Sequence, residues 1–156
     1  MRLVGDRYTA AVGPMPGSIA SFAEQCAARR WGALIVLQRS EPLHDQLTGG
    51  ILLGQPLTVD LLLDIFAPTS DRREGATVVR GGHVLVAGVQ LPSPDNERVA
   101  HLEHGARAAI ALTEQSNAVA IHVAPATGTI SFASSGQLVR NIRPEKLRHV
   151  LAWLNR

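Results

Sequence analysis

Ile19, Phe22, Ala23, Cys26 and Ala27 recur at i, i+3, i+4, i+7 and i+8, the spacing that lines one face of a helix. The spacing predicts a helix opening at Pro16-Gly17-Ser18, capped by Ser18 or by Ser21 with Glu24, and stopped by Gly32. The apolar run that follows (ALIVLQ, 33–38) reads as a fully buried strand. Residues 40–50 read as a loop. Thr58 is the N-cap of a second helix over 58–66, with Asp60 in its first turn and Pro68 beyond its end. Strands at 76–80 and 83–89 join through Gly81-Gly82, two residues that accept positive φ and so suit a tight hairpin. An irregular loop (91–98) leads to a helix over 99–115, with Gly105 inside it or at its start. Strands at 118–124 and 129–134 form a second hairpin. Pro144 opens a last helix, whose Leu147, Val150, Leu151 and Leu154 face inward. Residues 1–13 have room for one short strand.

The order helix, strand, helix, hairpin, helix, hairpin, helix predicts an α/β domain with a mixed central sheet and helices on both faces. With 156 residues, 46% of them hydrophobic and 18% charged, the chain suits one domain over 1–156 with a core of its own. Aromatics are 4%, so Ala, Val, Leu and Ile must build that core.

Charge and cysteine narrow the function classes. The net charge is +2, Lys146 is the only lysine, and no basic run exceeds Arg29-Arg30 or Arg72-Arg73. That is too little to expect direct DNA binding. The single cysteine, Cys26, leaves no internal disulfide and no cysteine-rich zinc site, and packing on the helix face is its expected role. No stretch reaches the ~18 apolar residues of a membrane span, and residues 1–14 lack a signal-peptide core. The expectation is a soluble, cytoplasmic domain without a membrane segment.

Several phrases, in order, resemble the diadenylate cyclase domain, the family that condenses two ATP into cyclic di-AMP. They are WGALIVLQR, LLLDIFAPTS, EGATVVRGGHVLVAGVQLPSP, ARAAIALTE and TGTISFA, and the resemblance covers roughly Ala33 to Val139. The resemblance implies a mixed sheet flanked by helices, a nucleotide ligand, and work by two protomers meeting face to face. It also implies site residues. Gly75-Ala76 would floor the nucleotide pocket, Leu91 would pack on the adenine, and the helix start at His104, Gly105 and Arg107 would hold phosphate.

The departures from the family pattern are equally specific. The family has Asp-Gly-Ala where this chain has Glu74-Gly75-Ala76, and that aspartate holds the divalent metal and helps activate the ribose 3′-hydroxyl. Glu74 keeps the charge one methylene further out, and a misplacement of about 1 Å costs about 10²-fold. The family's Thr-Arg-His-Arg stands here as His104, Gly105, Ala106 and Arg107, which removes charge-assisted contacts worth about 1.5–3 kcal/mol each. Its Ser-Glu-Glu is replaced by Ala124, Pro125 and Ala126.

Three altered elements give the main expectation: a catalytically degenerate domain that binds or senses a nucleotide, with cyclic di-AMP the first candidate. It has no catalytic residue, and its nucleotide-binding residues are Glu74, Gly75, Ala76, Leu91, His104, Gly105 and Arg107. No cofactor is expected. One alternative is an active divergent cyclase, with Glu74 catalytic, Mg or Mn as cofactor and a homodimer as the working unit. A second is a structural dimerisation module. Two plainer readings stand beside these. Glu74 can be a solvated charge paired with Arg72 or Arg73 on the exposed rim. His101, Glu103 and His104, with His122 or Glu74 as a further ligand, can hold a metal. The output must lie in a partner or an additional domain.

Overall fold

In a computed structural model that describes residues 15–43, 45–92 and 102–154, the chain begins with α1 (Met15–Arg29) and β1 (Ala33–Leu37). It continues through β2 (Ile51–Pro56), α2 (Val59–Phe66), a 3₁₀ turn (Asp71–Glu74), β3 (Ala76–Arg80) and β4 (His83–Val89). It closes with α3 (His104–Gln115), β5 (Val119–Ala124), β6 (Thr129–Ser134), β7 (Gln137–Val139) and α4 (Pro144–Leu154). The strands make one sheet in the order β2-β4-β3-β1-β5-β6-β7. β1 runs parallel to β3, and every other pairing is antiparallel.

Alternation along the inner strands divides the core between the two faces. Ala33, Ile35 and Leu37 join a cluster with Ile19 and Phe22 of α1, Leu62 and Phe66 of α2, and Leu147 and Leu151 of α4. Leu34 and Val36 join the opposite cluster with Ala108, Ala109 and Leu112 of α3. Helices therefore cover both faces, as the sequence order implies. Phe22 and Phe66 meet with ring centroids 5.6 Å apart at 45°, a tilted aromatic pair worth about 0.5–1.5 kcal/mol beyond its buried area.

The local signals act where they stand, with some corrections. Thr58 caps α2, its Oγ1 accepting from the Leu61 N–H at 3.0 Å. Gly81 and Gly82 take φ of 58° and 78° in the β3–β4 turn. Pro144 is the first residue of α4. α1, however, already runs from Met15, so Ser18 and Ser21 lie inside it, and Ser21 accepts from Gln25 Nε2 instead of capping. Gly32 does not stop it. Arg30 takes the left-handed position (φ 58°), with Arg30 N–H to Ala27 O and Trp31 N–H to Cys26 O closing the helix. α3 begins at His104, where the periodicity alone extends the helix back to 99, and residues 99–101 lie outside the described set. The short strand expected in residues 1–13 also lies outside it.

Both sheet edges, β2 and β7, are additions to the sequence reading. In β2 every residue but Leu53 is exposed, Gly54 bulges it at φ 60°, and Pro56 ends it. An edge strand needs neither an apolar run nor a full set of N–H donors.

Candidate functional site

A cleft of about 170 Å³ opens at one end of the central strands. The 3₁₀ turn delivers Glu74 to it, the end of β4 delivers Leu91, and the first turn of α3 delivers His104 and Gly105. Gly75 and Ala76 lie between, at the start of β3. Six of the seven expected binding residues therefore line one cavity. Arg107, one turn further along α3, lies outside that lining. It is half-buried, and its Nε is buried without a hydrogen-bond partner among the described residues.

Glu74 is exposed at the rim. Its neighbour Arg73 is exposed too and donates to the carbonyl of Ser70 at 2.9 Å. Ser70 caps the 3₁₀ turn by accepting from the Arg72 N–H. Arg72 departs from the expected exposed rim: it is half-buried, with Nε shielded from solvent, and its stem packs 3.5 Å from where a Cβ on Gly88 would be.

Across the cleft, α3 starts after Glu103, whose side chain makes no capping hydrogen bond. The first intrahelical bond is Arg107 N–H to Glu103 O. The N–H groups of the first turn are thus free of intrahelical acceptors, the arrangement that receives an anion at a helix start.

The cleft also contains His122, which the sequence reading named only as a further ligand of a metal site. His122 projects from β5 on the α3 side of the sheet, where it pairs in register with Leu34 and Ser131. It is 7% exposed. Burial pushes its pKa below the usual 6.5, against the pull of Glu103, while Arg140 pushes in the same downward direction. Its ring edge fills the space beside Gly105: a Cβ there would lie 2.6 Å from Nε2. Gly32 abuts Pro125 in the same wall. The signal for His122 was one histidine in an otherwise apolar strand, which reads more simply as a core residue.

Among the described residues, no three His, Cys, Asp or Glu side chains come together as a metal-binding group; His101 lies outside them. No described helix is long and apolar enough to cross a membrane. Cys26 is buried, and burial pushes its thiol up to about 12.

Comparison with known proteins gives a consistent picture. The family described as DisA bacterial checkpoint controller nucleotide-binding matches residues 21–138. A diadenylate cyclase from Listeria monocytogenes is 32% identical over 135 residues, covering 86% of this chain and 50% of the relative. The diadenylate cyclase CdaS of Bacillus thuringiensis is 37% identical over 121 residues, covering 77% and 60%. The crystal structure of DacA from Staphylococcus aureus, a double mutant, superposes with a TM-score of 0.85 at 30% identity, covering 90% of this chain and 95% of that one. The chain spans about half the length of the Listeria protein it matches.

Proposed function

Because the chain belongs to the DisA bacterial checkpoint controller nucleotide-binding family, we propose that its cleft binds an adenine nucleotide and that it is a divergent diadenylate cyclase. The relatives' names support the activity, and we favour it over the degenerate sensor that the altered motifs suggest. One observation carries the reading: a carboxylate, Glu74, and a helix start whose first N–H groups have no intrahelical acceptors border the same cleft.

In this reading phosphate oxygens sit at the start of α3, beside His104 and Gly105. Leu91 packs on the base. The ribose 3′-hydroxyl of one ATP attacks the α-phosphorus of the other. A P–O bond forms, the bond to pyrophosphate breaks, and Glu74 receives the hydroxyl proton. The equivalent second step closes the ring. Two ATP must meet, so two copies bring their clefts together. A hard carboxylate is the ligand type that suits Mg²⁺ or Mn²⁺. Glu74 would hold the ion, whose chemistry is to neutralise phosphate charge.

The test is incubation with ATP and Mn²⁺ or Mg²⁺, followed by chromatography for cyclic di-AMP and pyrophosphate. Both products are expected. Tight binding of cyclic di-AMP without turnover would favour the sensor, which the packing of His122 against Gly105 supports because it leaves no room there for a phosphate-gripping arginine. Neither product nor binding would overturn both readings.

A further inference from the structure

His122 has no role in the proposed chemistry, yet it is the most deeply buried ionisable side chain lining the cleft. No hydrogen bond joins either of its ring nitrogens to a described residue. On its own face of the sheet its register partners, Leu34 and Ser131, are buried as well. A polar ring carried to such a place is normally satisfied by a partner, and the wall it faces is an open cavity.

The position of the ring says what that partner is. Nε2 and Cδ2 lie 2.6 and 2.7 Å from where a Cβ on Gly105 would sit. That edge of the imidazole therefore lies against the first turn of α3, where the backbone N–H groups lack intrahelical acceptors. Two kinds of donor converge on one spot, a helix start and an imidazole N–H. Gly105 is the residue that admits the ring, since any side chain would occupy its space.

We propose that His122 is a ligand-binding residue of this cleft, donating to an anionic phosphate group of the bound nucleotide beside the α3 start. The inference rests on the nucleotide reading of the cleft but not on turnover. A histidine here differs from a fixed cation because its charge depends on pH. The groups facing it are Glu103 and His104 from α3, Arg140 beyond β7, and Arg73 and Glu74 across the cleft; its register partners Leu34 and Ser131 are uncharged. Phosphate arriving beside the ring favours the imidazolium. Binding therefore takes up a proton, and affinity rises as pH falls.

The experiment is calorimetric titration of the intact chain with cyclic di-AMP and with ATP at pH 5.5 and 8. The wild type is compared with His122→Val, His122→Gln and Gly105→Ala, and the melting temperature of each unliganded protein is recorded. His122→Val, with a melting temperature at or above wild type, is expected to weaken binding roughly ten- to hundredfold and to lose the pH dependence. His122→Gln should recover part of the affinity but none of the pH dependence. Gly105→Ala should behave like His122→Val, because its methyl displaces the ring. If the wild type binds and His122→Val binds equally well with the same pH dependence, the inference is overturned and the nucleotide reading stands. If the wild type binds neither ligand, both fall. If His122→Val melts too low to titrate, His122→Gln decides by its pH dependence alone.

Discussion

Gly75 and Gly88 meet backbone to backbone. A Cβ on Gly75 would lie 2.6 Å from the carbonyl carbon of Gly88 and 2.7 Å from the carbonyl oxygen of Val89. Gly88 itself takes φ 75° and lies against the stem of Arg72. The two glycines seat the 3₁₀ turn on β4, and that seat sets where Glu74 enters the cleft. The family resemblance makes Gly75 part of the floor of the nucleotide pocket. The closer neighbour is the chain's own backbone, which cannot rotate out of the way as a side chain can.

Gly75→Ala is therefore expected to lift the turn from β4, costing about 1–3 kcal/mol, the range of an overpacked site. Urea denaturation measures the loss directly. A variant as stable as the wild type would mean that the turn has slack the packing does not show.

Thr77 offers the opposite outcome. It is fully buried beside Ile35 of β1, and its Oγ1 has no hydrogen-bond partner among the described residues. A desolvated, unsatisfied hydroxyl is unfavourable, whereas valine keeps the branched shape without it. Thr77→Val should raise the denaturation midpoint, by about 1 kcal/mol in stability. A fall would point to a partner for the hydroxyl.

How far the sequence speaks for itself follows from what each element rests on. β1 and β5 announce themselves because every residue in them is buried, so the apolar run and the strand coincide. β2 does not, since its pairing is carried by backbone bonds while Ile51 and Leu52 stay exposed. The motif residues at 74–76 and 104–105 could be located by resemblance, and they line one cleft. His122 could not, because its approach to Gly105 depends on how β5 pairs with β1 and where α3 lies over the sheet. Arg30 ending α1 in a left-handed conformation defeats the ordinary preference for glycine there, and nothing in the local sequence marks it.

Glu74→Gln separates charge from shape at the rim. Under the proposed cyclase reading it should lower product formation about 10²-fold or more, with unliganded stability within about 0.5 kcal/mol because the residue is exposed. Product assay and thermal melting together read this. Undiminished turnover would remove Glu74 from the chemistry.

His122 also makes stability depend on pH. In the unfolded chain its imidazole takes a proton near the ordinary value of 6.5, while burial lowers the folded value. Between the two, the unfolded state holds more protons, so stability falls as pH drops below about 6.5 and is complete above it. Denaturation midpoints from pH 8 down to 5 should show this decline in the wild type and a shallower one in His122→Val. Parallel profiles would assign the decline to other groups.

Cys26 should be silent. The thiol is buried, and its pKa is raised to about 12, so almost no thiolate exists at pH 8. Alkylation by iodoacetamide should be slow in the native protein and rapid in urea. Fast native labelling would mean that α1 opens readily from the sheet.

The middle strand of the sheet has a consequence for how the molecule comes into being. β1 is made early, yet its neighbours are β3 on one side and β5 on the other, with Ala33 opposite Val123 and Leu37 opposite Val119. During synthesis the N-terminal half has a centre without one of its flanks. Loop closure over so long a stretch of chain must precede the contacts that reward it. The cleft takes its walls from both halves, so a nascent chain cannot hold a nucleotide until β5 has left the ribosome and the strand order is complete.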